Sequence, residues 1–88
     1  MSKTASSVGN IAPSWKGKTP IGVRFGARLN QIRTERGYTQ LKLADVSGLD
    51  RSFISDMERG VKEPTISTVE LLCNAFSMTL GEFFEGMI

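Results

Sequence analysis

Apolar residues recur at helical spacing along most of this chain. From residue 21, Phe25, Leu29 and Ile32 follow an i, i+4, i+7 stripe, which predicts an amphipathic helix. Gly37 then stands where a left-handed residue ends a helix. Thr39 caps a second helix, "QLKLADVS", whose inward side is expected to be Leu43, Ala44 and Val46. Gly48 interrupts it. The stretch "LDRSFISDMERG", residues 49–60, reads as a third helix with Asp50 as N-cap and Gly60 just past its end. The loop "VKEP" closes at Pro64. A fourth helix is expected over residues 66–76, with Ile66, Val69, Leu72, Cys73 and Phe76 at three- and four-residue spacing. Either Thr65 or Ser67 caps it; Ser67 has Glu70 at capping-box spacing. Thr79 and Glu82 repeat that spacing, so a short fifth helix begins near residue 80 and carries Leu80, Phe83 and Phe84. No segment alternates with period two. The pattern is all-α: five short helices joined by tight turns.

Residues 1–20 do not share this pattern. They are rich in Ser, Gly, Thr, Pro and Lys, and read as a flexible arm ahead of one domain at 21–88. Trp15 and Ile11 either dock on that domain or have no role, and the basic arm either touches phosphates or is a plain disordered terminus. A chain of 88 residues is ordinarily one domain, and one this small buries a modest core, so dimerisation is a natural way to enlarge it.

Charge adds a direction. Residues 1–20 carry +3, residues 21–62 carry +3 and residues 63–88 carry −4, within an overall +2. One end is expected to face a polyanion and the other to face away. The alternative is chance solvation of a surface.

Candidate chemistry narrows by absence. With one cysteine, Cys73, and no histidine, the sequence offers no internal disulfide, no Cys–His or Ser–His catalytic pair and no structural zinc set. Cys73 reads as a buried small hydrophobe. No P-loop or metal-ligand cluster occurs. No cofactor is expected, and the chain is not expected to be an enzyme. There is no run of about 18 apolar residues and no secretory signal, so a cytoplasmic protein without a membrane span is expected.

The third helix has an unusual surface. At about 100° per residue, Ile54 and Met57 define its inward side. Ser52, Ser55, Asp56 and Arg59 fall on the outward side, with Arg51 and Phe53 on the flanks and Glu58 nearer the core. A helix of this length is not stable alone in water. A short turn around Gly48 separates it from the second helix, which is helix-turn-helix spacing over about 39–59.

Several features share that register: Gln40 opening the second helix, "LA" at 43–44, Gly48 in the turn, Ile54 within the third helix and "ERG" at 58–60. Together they resemble the Cro/repressor-type (XRE-like) helix-turn-helix family, over about residues 22–86. Within it, "LDRSFIS" followed by "ER" is most similar to the small controller proteins of restriction–modification systems. The resemblance implies a compact five-helix, lambda-repressor-like DNA-binding domain. It implies a homodimer that binds a palindromic double-stranded DNA operator as a transcriptional regulator, with its own operon as a target. An antitoxin or another protein-interaction module on the same scaffold is the alternative. No small-molecule effector is expected, since the chain has no room for a sensing domain.

An outward face of short polar side chains suits a major groove. The residues expected at base edges are Arg51, Ser52, Phe53, Ser55 and Asp56. Arg51 suits a bidentate contact to guanine. Phe53 either packs on a thymine methyl or is half-buried within the domain. Asp56 either accepts from a cytosine or orients Arg51 or Arg59; in both cases an acid here discourages indiscriminate binding. The resemblance puts Gln40 against a phosphate at a helix N-terminus, with Lys42, Arg59 and Lys62 as neighbours. Arg24 and Arg28 either join them or form a solvated face. The resemblance also implies an internal ion pair between Arg33 and Glu58, tying the first helix to the third. It places the dimer interface in the C-terminal region, where Phe84 and Met87 are the expected contacts; the alternative is that these residues only complete the monomer core.

Overall fold

A computed structural model describes residues 18–88. Apart from residues 18–20, the expected arm, with Ile11 and Trp15, lies outside the described residues. Five helices follow in order: α1 (Pro20–Glu35), α2 (Gln40–Ser47), α3 (Arg51–Glu58), α4 (Ile66–Phe76) and α5 (Leu80–Glu85), with no strand among the described residues.

Local chemistry sets the boundaries. The α1 helix starts before the first apolar repeat, because the Thr19 hydroxyl accepts from the Gly22 N–H and Pro20 occupies the first turn. The arm expected to run through residue 20 therefore yields its last residues to the domain. Threonines cap α2 and α4 alike: Thr39 accepts from the Lys42 N–H and Thr65 from the Thr68 N–H. Thr65, not Ser67, is the α4 cap. Thr79 and Glu82 complete a reciprocal capping box on α5. Asp50 occupies the N-cap position of α3 but caps nothing with its side chain; its carboxylate instead accepts from the Ser52 hydroxyl at 3.2 Å. Gly48 and Gly60, at φ 78° and 77°, turn the chain into and out of the α3 segment in the left-handed region that glycine tolerates.

The core comprises Phe25, Leu29 and Ile32 of α1, Leu43 of α2, Ile54 and Met57 of α3, Val69, Leu72, Cys73 and Phe76 of α4, and Phe83 of α5. The α3 helix packs on both α1 and α2, α2 also packs on α4, and α4 packs on α5. The approach of α1 to α3 depends on Gly26. A Cβ there would overlap the Met57 carbonyl oxygen and lie 2.8 Å from that of Glu58.

Three apolar expectations fail. Val46 is 43% exposed, and Ser47 is buried in its place. An eight-residue helix offers few inward positions, and α2 uses Leu43 and, four residues on, Ser47. The Ser47 hydroxyl is satisfied by the Leu49 N–H. Ile66 and Leu80 are the first residues of α4 and α5, and both are exposed. Each lies a turn short of where its helix meets the core.

Candidate nucleic-acid interface

The α3 helix is held from beneath. Ile54 and Met57 are fully buried, and Glu58 just beyond them is the anchor. Its carboxylate accepts from Arg33 Nε at 2.6 Å and from Arg33 Nη2 at 3.1 Å, a two-point ion pair. The side chains are only 13% and 6% exposed. Asn30 Nδ2 at 3.0 Å and Gln40 Nε2 at 3.1 Å donate to the same carboxylate. Arg33 also donates to the Tyr38 carbonyl at 2.7 Å. Burial alone pushes the Glu58 carboxyl up. The donors Arg33, Asn30 and Gln40, with the Arg33 charge, outweigh it and hold the group below the ordinary carboxylate value. One acid thus ties α1, α2 and α3 together.

Gln40, expected at a phosphate, has partners within the domain. Its amide lies against Glu58, and its carbonyl accepts from Arg51 Nη1 at 3.5 Å, the long end of hydrogen bonding. A buried carboxylate needs donors, and the Gln40 amide supplies one. Asn30 was not expected in this network. Its signal in the sequence is weak: it precedes Arg33 by one helical turn.

Above this base, Arg51, Ser52 and Arg59 are exposed, and Ser55 and Asp56 are half-buried. Phe53 is half-buried against the core. Asp56 orients Arg59, not Arg51: Oδ1 accepts from Arg59 Nη2 at 2.5 Å, and Oδ2 lies 3.8 Å from Lys62 Nζ. Lys42 is exposed on the first turn of α2. Along the α3 edge, Arg51 and Ser52 stand in the first turn, and Asp56, Arg59 and Lys62 form a charged group at the helix end and in the following turn.

The arginines Arg24 and Arg28 of α1, and Arg36 just past its end, do something else. Arg28 donates to the carbonyls of Phe83 at 2.8 Å and Glu82 at 2.9 Å, with its guanidinium 5.7 Å from the Phe83 ring centre. Arg24 reaches the Met87 carbonyl at 3.0 Å, and Arg36 donates to the Phe76 carbonyl over the Phe76 ring. These are orphan carbonyls at and beyond the ends of α4 and α5. Arg24 is exposed and Arg28 half-buried, and both direct their donors to C-terminal carbonyls.

At the C-terminus, Phe84 is exposed and Met87 is half-buried against the core. Phe84 joins Ile21, Phe25, Pro64, Ile66 and Val69 around a shallow groove of about 200 Å³. Cys73 is buried, and burial pushes its thiol up, away from reactivity. No helix among the described residues is long and apolar enough to cross a membrane.

A short helix pinned below and polar above, preceded by a Gly turn and a second helix, is a helix-turn-helix unit. The family model described as "Helix-turn-helix" matches residues 29–83, and the chain belongs to this family of DNA-binding transcriptional regulators, which are not enzymes. Among solved structures, the chain is similar to the restriction–modification controller protein C.Esp1396I, with 33% identity and a TM-score of 0.75 over 80% of this chain and 91% of that one. It is also similar to the controller protein C.AhdI from Aeromonas hydrophila, with 36% identity and a TM-score of 0.72 over 75% of this chain and all of that one. Among curated proteins, it is 40% identical over 64 residues to the HTH-type transcriptional regulator PuuR of Escherichia coli (strain K12). That match covers 73% of this chain and 35% of PuuR, so the chain spans about a third of that relative's length.

Proposed function

We propose that this protein is a cytoplasmic, sequence-specific transcriptional regulator that binds a palindromic operator as a homodimer, with α3 in the major groove. The observation that carries the reading is the α3 edge itself. Ile54, Met57 and the Glu58 anchor fix the helix, so Arg51, Ser52 and Ser55 are presented with no backbone left to order and only their side chains to immobilise on binding. Arg51 is the candidate for guanine and the serines for either donor or acceptor edges. Phe53, held half-buried, is a candidate for a thymine methyl only at its exposed rim. Lys42, Arg59 and Lys62 are the candidate phosphate contacts. The C.Esp1396I controller protein has been solved as a tetramer with its natural 35-base-pair operator and on a 19-base-pair duplex, which supports the same use here. Likeness over nine-tenths or more of the controller chains supports a controller-type regulator acting on its own operon.

The dimer contact is proposed at Phe84 and Met87, with exposed Leu80 and Ile66 extending the apolar surface. A pair of subunits reads two half-sites about one helical turn apart. Selection of bound sequences from random DNA should return such a two-fold site, preferred over other DNA by ~10³ or more and weakening steeply with salt. Weak binding without sequence preference would overturn the regulator reading. A monomer at micromolar concentration in sedimentation would overturn the dimer.

A further inference from the structure

Among the described residues there are three ion pairs, and apart from the Arg33–Glu58 anchor both others end on one acid. Asp56 holds Arg59 on one carboxylate oxygen and faces Lys62 with the other. Both cations are more than half exposed (62% and 61%), whereas the Asp56 side chain is 24% exposed and sits against the domain. They approach from the C-cap of α3 and from beyond the Gly60 turn, so the acid lies at their meeting point.

Resting on the DNA-binding reading above, we infer that Asp56 determines specificity by acting on Arg59 and Lys62, not by reading a base. Its charge has two effects. It cancels part of the field these two cations present to phosphate, which weakens binding to every DNA sequence. It also holds the Arg59 guanidinium in one direction with its remaining donors free, which favours the single docking register that a bound operator requires. Operator DNA gains from the second effect and loses from the first. Other DNA, met in many registers, only loses. Asp56 is therefore a positioning residue that lowers non-operator binding more than operator binding.

The test is Asp56→Asn in the full chain, an isosteric change at a half-buried surface position, with a thermal melt to confirm the fold. Binding to the selected operator and to a scrambled duplex is titrated across salt. Asn should tighten scrambled-duplex binding roughly three- to tenfold at low salt. It should steepen the salt slope by about 0.9 and shrink the operator preference. In an Arg59→Gln, Lys62→Gln background the same substitution should have little effect. Unchanged scrambled-duplex binding, with operator affinity lost at one base pair, overturns the inference and makes Asp56 a base reader. So does a gain that persists in the double-substituted background. A wild-type chain with neither operator preference nor salt dependence overturns the regulator reading as well, and is distinguishable because it fails before any substitution is made.

Discussion

The arginines on and at the end of α1 and the cations on and just after α3 carry the same charge and sit in opposite settings. Arg24, Arg28 and Arg36 point their donors at backbone carbonyls of the C-terminal segment. Arg51, Arg59 and Lys62 are held only by side chains, at long or exposed contacts with Gln40 and Asp56. The first group neutralises the negative ends of α4 and α5 and so stabilises the domain. The second has acceptors that a phosphate or a base can replace. The +3 of residues 21–62 is thus not one basic surface. Much of it is turned toward the fold's own carbonyls, and the part available to a polyanion lies along α3.

Arg33 stands at the border of the two groups, on α1 but bonded to α3, and its removal should have the largest effect. Arg33→Ala leaves Glu58 buried without its cation, at a cost of about 3–5 kcal/mol at neutral pH. Against a total of about 5–15 kcal/mol for a domain, that brings the chain near unfolding. The deficit should narrow in acid. In the intact protein Glu58 sits below its ordinary pKa, so its contribution is complete above the unfolded value and is lost as pH falls through the lower folded value. In the variant both Arg33 contributions are gone and only Asn30 and Gln40 oppose burial, so the group's pKa rises relative to the intact protein and protonation relieves part of the deficit. Thermal melts at neutral and acid pH check both. An unchanged melting temperature with weaker DNA binding would move Arg33 to the DNA-contacting group.

The next effect in size comes from Gly26→Ala. A Cβ there meets the Met57 and Glu58 carbonyl oxygens, which are backbone and have no rotamer to escape by. Separating α1 from α3 should cost at least about 1–3 kcal/mol and disturb the Glu58 anchor with it. A denaturant melt as stable as the intact chain's would show that the two helices are not held at this distance in solution.

How much of this was legible in the sequence divides by range. Thr39 and Thr79, and the glycines at 37, 48 and 60, act within a few residues of themselves, so spacing alone located the helices that they bound. Thr19 and Pro20 form an equally local signal, obscured by the low-complexity stretch before them. The inward choice between Val46 and Ser47 had no local answer. Both are close to the Leu43 face, and packing of α2 on α3 and α4 selects one of them. The arginines were least legible. Arg28 finds its carbonyls 54 and 55 residues away, and nothing around a lone arginine records that. Resemblance supplied the Arg33–Glu58 pairing, whereas the donation of Gln40 to the same carboxylate follows from the need of a buried carboxylate for donors, which no local spacing records.

Arg28→Ala and Lys42→Gln sharpen the division between the two groups. Each removes one positive charge, so a purely electrostatic view predicts the same loss of DNA affinity for both. Arg28 supplies two charge-assisted bonds to partly exposed carbonyls, so its loss should lower stability by about 1–3 kcal/mol. The salt dependence of DNA binding should be nearly unchanged. Lys42 is exposed at the start of α2, and its replacement should alter stability by no more than about 0.5 kcal/mol. If its ammonium meets a phosphate, the slope of log K against log salt should fall by about 0.9 for each phosphate no longer neutralised. Paired melts and salt titrations of the two variants give four readings. Equal salt slopes with equal stabilities would show that α1 and the α2–α3 edge act as one basic surface after all.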